Sequence, residues 1–405
     1  MLFRSEVHDF LLKHGVDSLD AWDPEAQSYV DLASLQPDYL FTTTPYDIYL
    51  PEQYQSGQLI RLGKLCHVDY GARLVESTGE YASLYKTDYY QNASFFFNCF
   101  DRPLCEGENF VPLGYLKLDE YLYYGRPTAH PEKWKDSKPF KIIWKPRWTM
   151  TKGESTLSPF LHDFYGFLAS RPQVELIMLS HPIMEKSLEQ KGYLDYYQEN
   201  IAKLKQLPNF RTEEGEDFLD TVLSADVMVA DVTSTAAEFV ITGKPLIHTT
   251  PDISLSPGGK HVFRYAYTAK EFSELEARLD ALMEGDDPLK REREAAKDTY
   301  FFTPPKGKSV AQYLLQLLKD DFFDPFSGRQ HFRKVISTLQ QEQQSRLAAL
   351  SAQLTEEKNT AAALQAALTQ SQEEAAALQK TCSELSAKIN RIPKIFRKAY
   401  KFLKR

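Results

Sequence analysis

The sequence predicts an α/β protein built on mostly parallel strands, extended by one long helix and a short basic segment. Three observations lead there. Short apolar runs alternate with amphipathic stretches from about residue 138 to 325, the pattern of strands covered by helices. No glycine or proline occurs from 329 to 391, so nothing in that stretch interrupts a helix. Residues 391–405 then carry seven Lys or Arg and no acid.

Taken in order, residues 1–15 read as a helix with Val7, Phe10, Leu11 and Leu12 on one side. Strand-like pieces follow at 39–43, 59–62 and 94–99, in a region rich in Tyr and Phe. Strands are expected at 141–144, 174–180, 227–231 and 244–249, with helices at 157–169, 185–207, from 236, and at 273–283. These textures divide the chain into 1–137, 138–327, 328–390 and 391–405.

The third region has a period of 3.5. With Leu347 at position a, the a seam reads Leu347, Leu354, Ala361, Leu368, Ala375, Cys382, Ile389. The d seam reads Leu350, Glu357, Leu364, Ser371, Leu378, Leu385, so only Glu357 and Ser371 are polar. A sustained seam of this kind argues for a coiled coil and a homo-oligomer. As helix, its length would be roughly 90 Å. In the tail, Ile392, Ile395, Phe396, Ala399 and Leu403 line one stripe flanked by cations, the composition of a helix lying on an anionic membrane surface.

Composition removes several classes. The chain has 405 residues, 42% of them hydrophobic and 26% charged, which excludes wholesale disorder and a disulfide-stapled miniprotein. Cys66, Cys99, Cys105 and Cys382 form no Cys-x-x-Cys pair or zinc spacing. Net charge is −8, and −15 without the basic tail, which argues against nucleic acid as a partner. No run of about 18 apolar residues could span a membrane, and the first residues lack a signal-peptide core. The expectation is a cytoplasmic protein, peripheral at the inner face of the cell membrane.

Four segments place polar groups after apolar runs, where open α/β sheets bind ligands. Lys145 and Arg147 follow the strand 141–144, and two cations there suit phosphate. His181 follows 174–180 and could donate to a phosphate oxygen. Asp231, Thr233, Ser234, Thr235 and Glu238 lie between the strand 227–231 and a helix, whose start can be capped by hydroxyls or can cradle phosphate. Finally, His67 stands near Asp69, Tyr70 and Gly71, and could act as a general base toward a hydroxyl. The sequence holds no Walker, dinucleotide, zincin or nucleophile-elbow motif, and neither a metal nor a cofactor is expected.

The order of these pieces resembles the CDP-glycerol glycerophosphotransferase family, which builds teichoic-acid-like polymers of the bacterial cell envelope on the GT-B fold of two Rossmann-like lobes. The matching block runs through Ala225, Asp226, Asp231, Thr233 and Ser234 to Lys244 and Pro245. His181-Pro182 is similar to the family's second histidine, with Leu179 where the family has Arg. Lys145 to Thr149 is similar to its A-P-T-[WY]-R strand end. His67 stands in the place of its His-Gly loop, with Val68 where Gly is usual. The likeness covers about residues 30–320, and only about 36 residues precede Pro37, so the resemblance implies either a short N-terminal lobe or a missing start of the chain. It implies transfer of glycerol phosphate, or a similar polyol phosphate, from a CDP-activated donor to a polymer or lipid-linked acceptor with release of CMP. His67 would be the base, His181 would stabilise the leaving phosphate, and Lys145, Arg147, Asp231, Thr233, Ser234, Thr235 and Glu238 would hold the nucleotide. The alternatives are a nucleotide-sugar glycosyltransferase on the same fold and a non-catalytic membrane scaffold.

Overall fold

The computed structural model describes residues 11–404 apart from 14, 19–20, 43, 77–86, 106, 126–133, 135–139, 152, 214–217, 325–326 and 392–393. It divides into two compact units, Met1–Phe323 and Asp324–Arg405. Most of the helix expected over 1–15 lies outside the described residues, of which 11–13 are helical.

The first unit holds two parallel sheets. After a small antiparallel ribbon, β1 (Trp22–Asp23) and β2 (Ser28–Tyr29), four strands follow: β3 (Tyr39–Thr42), β4 (Lys64–Val68), β5 (Phe95–Asn98) and β6 (Phe110–Pro112). They pair in parallel in chain order. The second sheet comprises β7 (Phe140–Lys145), β8 (Val174–Leu179), β9 (Phe210–Glu213), β10 (Val227–Ala230), β11 (Leu246–His248) and β12 (Tyr267–Thr268). Its spatial order is β12-β11-β10-β7-β8-β9. Counted from β9, that is third, second, first, fourth, fifth, sixth, the doubly wound order of nucleotide-binding sheets. The direction of winding reverses between β7 and β10. This is the GT-B-like arrangement the resemblance implies, with a small first sheet.

Burial on both faces explains the apolar strands. Ile142, Trp144, Leu176, Met178, Val227 and Val229 pack into one core with Phe160, Phe164 and Leu279 from helices Leu157–Ala169 and Phe272–Met283. Their neighbours Ile143, Ile177, Leu179, Met228 and Ala230 point the other way, into a core containing Ala236, Phe239 and Val262. Alternation therefore exists in the structure without showing as polarity in the sequence. The second core also takes in Ala72, Leu74, Phe100 and Tyr115 from the first sheet's half, so the two sheets share apolar packing. Helix Val310–Phe323 returns to the first sheet, where Val310 packs with Cys66, Phe97 and Leu113. Asp321 on that helix holds the Tyr39 hydroxyl and the Lys64 ammonium.

Two expected elements differ. The run 59–62 is no strand: Ser56–Leu59 is a helical turn, and β4 begins at Lys64. The Asp47 carboxylate accepts from Ser56 N (2.7 Å) and Ser56 Oγ (2.6 Å), which pins the start of that turn. The helix expected over 185–207 is two, Met184–Gln190 and Leu194–Leu204, separated at Gly192, whose φ of +75° a helix interior does not accept.

In the second unit, helix Ser327–Arg391 is continuous for 65 residues, followed by helix Lys394–Leu403. Leu347, Leu350, Leu354, Leu364, Leu368, Leu378, Leu385 and Ile389 are each more than half exposed. Among the described residues, no helix is long and apolar enough to cross a membrane.

Candidate functional site at the strand switch point

The carboxyl ends of β7 and β10 lie side by side at the reversal, and Asp231 joins them. Its carboxylate is fully buried. It accepts from Arg147 N (2.7 Å), Thr156 N (3.0 Å), Thr156 Oγ1 (2.7 Å) and Thr249 Oγ1 (2.7 Å). Four donors leave this carboxylate no capacity for a ligand. Asp231 therefore fixes the loops after β7, β10 and β11, and it positions Arg147 rather than binding phosphate itself. The Arg147 side chain is half-buried and makes no ion pair among the described residues.

Lys145 ends β7 and is buried, with Nζ donating to the carbonyls of Leu179 (3.2 Å) and Ser180 (3.4 Å) at the exit of β8. Burial pushes its ammonium down to about 8; Glu238 opposes the change and Lys117 adds to it. His181 stands next along the β8 exit. Its Nδ1 accepts the Ile183 N–H at 3.2 Å, which assigns the ring proton to Nε2 and makes that nitrogen a donor. Burial, helped by the charge of Lys145, pushes the imidazole down to about 4. His181 is therefore neutral at pH 7: it can donate a hydrogen bond to an anion, but it is not a cationic acid.

Thr233 occupies the N-cap of helix Ser234–Phe239 with extended backbone, yet its side chain makes no cap bond. Among the described residues its buried Oγ1 has no hydrogen-bond partner. Ser234 is half-buried and Thr235 is buried. Glu238, fully buried, faces the other half of the unit: Oε1 accepts from Lys117 Nζ (2.7 Å) and Tyr115 Oη (3.1 Å). Its role is thus to tie the two sheets together beside Lys145, whereas the sequence places it on the nucleotide. Lys117 and Tyr115 are functional neighbours that sequence reasoning missed. They lie 121 and 123 positions from Glu238, and no local motif marks either.

Gly71, from the first sheet's half of the unit, comes close against Ser234. A Cβ there would stand 2.8 Å from Ser234 Cβ and 3.0 Å from its Oγ, so only glycine permits this approach. His67 is placed differently from expectation. It lies within β4, paired to Thr42 on β3 and Phe96 on β5, because the strand starts later than the apolar run suggests. As part of a central strand its side chain is fully buried, with Nδ1 3.2 Å from the Thr42 carbonyl oxygen and Nε2 3.6 Å from Asp69 Oδ1. The ring contacts Tyr89 and Phe96. Fully buried, it has no open surface to offer an acceptor.

No family profile matches the sequence, and no curated protein matches it as a relative. Solved structures do. The wall teichoic acid polymerase TagF, soaked with CDPG, is 14% identical, with a TM-score of 0.43 over 74% of this chain and 73% of its own. UDP-GlcNAc 2-epimerase from Neisseria meningitidis bound to UDP-GlcNAc is 12% identical, with a TM-score of 0.49 over 79% and 90%. A UDP-forming trehalose-phosphate synthase from Burkholderia vietnamiensis is 11% identical, with a TM-score of 0.44 over 71% and 75%. With TM-scores below 0.5, none of these likenesses decides the chemistry.

Proposed function

We propose that this chain is a transferase that takes glycerol phosphate, or a similar polyol phosphate, from a CDP-activated donor and passes it to a hydroxyl of a polymer or lipid-linked acceptor. The observation that carries this reading is the gathering of Lys145, Arg147 and His181 after the strand ends at the β7/β10 reversal, where Ser234 also starts a helix. Fixed donors aimed at developing phosphate charge supply the largest part of such catalysis. The acceptor oxygen forms the new bond to phosphorus, the bond to the CMP phosphate oxygen breaks, and CMP and one proton are released. Lys145 and Arg147 neutralise the phosphates, and His181 Nε2–H donates to the departing oxygen. Thr233, Ser234 and Thr235 line the entrance to the helix. His67, lacking open surface, takes no part as base.

Placement at the cytoplasmic face of the membrane belongs to the same reading. Helix Lys394–Leu403 exposes Phe396, Tyr400, Phe402 and Leu403, and Lys398 and Lys401 are exposed as well. That combination suits anionic lipid. The open leucine seam of helix Ser327–Arg391 supports self-association.

Thermal unfolding of the full chain with CDP-glycerol, CDP-ribitol, UDP-sugars and GDP-sugars tests the donor. A cytidine donor is expected to raise Tm, by linkage of binding to folding, with the rise reduced in His181→Ala and Ser234→Ala. A rise with UDP-sugars alone would replace the reading with glycosyl transfer at the same cleft. No rise with any nucleotide would leave the scaffold role.

A further inference from the structure

The cleft at the β7/β10 reversal has an internal order of chemistry. At one end lie Lys117, Glu238 and Lys145, and His181 stands next to Lys145. His181 also neighbours Trp148, with ring centroids 6.4 Å apart and planes at 50°. Beyond it, Lys191 Nζ stands 5.8 Å from the indole centroid and 3.4 Å from Thr149 Oγ1. Thr149 in turn shares a 2.8 Å hydrogen bond with Thr151.

Trp148 differs from its neighbour Trp144, which is fully buried in the sheet core. Trp148 rests against that same core but keeps part of its ring open. Its orientation is therefore fixed while the residue stays partly exposed. A flat group with an apolar face and a polar rim would find there a π-surface, an ammonium and two hydroxyls. A neutral His181 keeps the strip between the cationic end and the indole uncharged.

We propose that the Trp148 indole is the platform on which the donor's pyrimidine base stacks, with Lys191 and the Thr149–Thr151 pair meeting the base's carbonyl edge. Charge then runs in the order a nucleoside diphosphate requires, phosphates at Lys145 and base at Trp148. This rests on the nucleotide-donor reading of the same cleft.

The test measures binding of CDP, UDP and inorganic pyrophosphate to the full-length wild type, Trp148→Leu and Trp148→Phe by calorimetry, with tryptophan emission followed in parallel. Base–aromatic stacking of ordinary strength predicts that Trp148→Leu weakens CDP and UDP about tenfold. Trp148→Phe, which keeps a ring, recovers most of that loss. Pyrophosphate binds all three alike, and CDP quenches wild-type emission but not that of Trp148→Leu. Unchanged CDP affinity in Trp148→Leu overturns the platform. So does a parallel loss of pyrophosphate binding, which would make the indole a prop for its loop. A wild type that binds pyrophosphate but neither nucleotide overturns the donor reading itself, and the platform with it.

Discussion

Raising the pH should release the donor, and Lys145 sets where. Its ammonium is held down to about 8 because burial costs the charged form more than Glu238 returns. Only the protonated amine attracts an anion, so the contribution is full well below that value and disappears as pH rises through it. For a group titrating near 8 whose charged form alone binds, the dissociation constant rises about tenfold between pH 7 and pH 9, or about 1.4 kcal/mol. Other groups add little slope there. His181 is neutral throughout, and a terminal phosphate with a second ionisation near 6 is fully charged. Calorimetric titration of CDP into wild type, Lys145→Met and Lys145→Arg at pH 7, 8 and 9 reads this directly. The methionine variant should bind weakly with a flat pH profile, and the arginine variant should keep its charge at pH 9. A wild-type affinity that does not fall across this range, or a slope that persists in Lys145→Met, would refute the assignment.

Removing the buried carboxylate in Asp231→Ala leaves four donors without an acceptor, and should cost about 3–5 kcal/mol in urea unfolding; a loss below ~1 kcal/mol would show that the loops do not depend on it. Gly71→Ala sets a methyl against Ser234, 2.8 Å from its Cβ, and should cost about 1–3 kcal/mol with weaker CDP binding. Adding Ser234→Gly should relieve the stability loss, and failure of that rescue would place the strain elsewhere. In sedimentation with vesicles, the full chain should bind phosphatidylglycerol but not phosphatidylcholine, in a salt-sensitive manner, and Phe396→Glu with Phe402→Glu should abolish it. Analytical ultracentrifugation should show self-association that Leu364→Lys with Leu378→Lys eliminates; a monomeric wild type at all concentrations would contradict the seam.

Much of the architecture is local and could be read from the chain. The runs 141–144, 174–180 and 227–231 are apolar on both faces, so each announces a covered strand whatever its neighbours are. Helix Ser327–Arg391 needs little more than the absence of Gly and Pro from 329 to 391 and a 3.5 period. The positions of Lys145, Arg147, His181 and Ser234 at or just after strand ends were legible because those ends are punctuated by polar and proline residues.

Tertiary structure decided the rest, since it depends on which strands become neighbours. His67 looks like a loop histidine until pairing on both sides puts it in the centre of a sheet. Asp231 looks like a ligand until four donors from two other loops converge on it. Glu238 looks like a nucleotide contact until Lys117 and Tyr115, more than a hundred residues earlier, arrive to meet it. A residue's type and spacing fix what it can bond to. Only the packing of distant segments fixes whether that capacity is already taken, and at this cleft it separates the residues that position from those left open to a ligand.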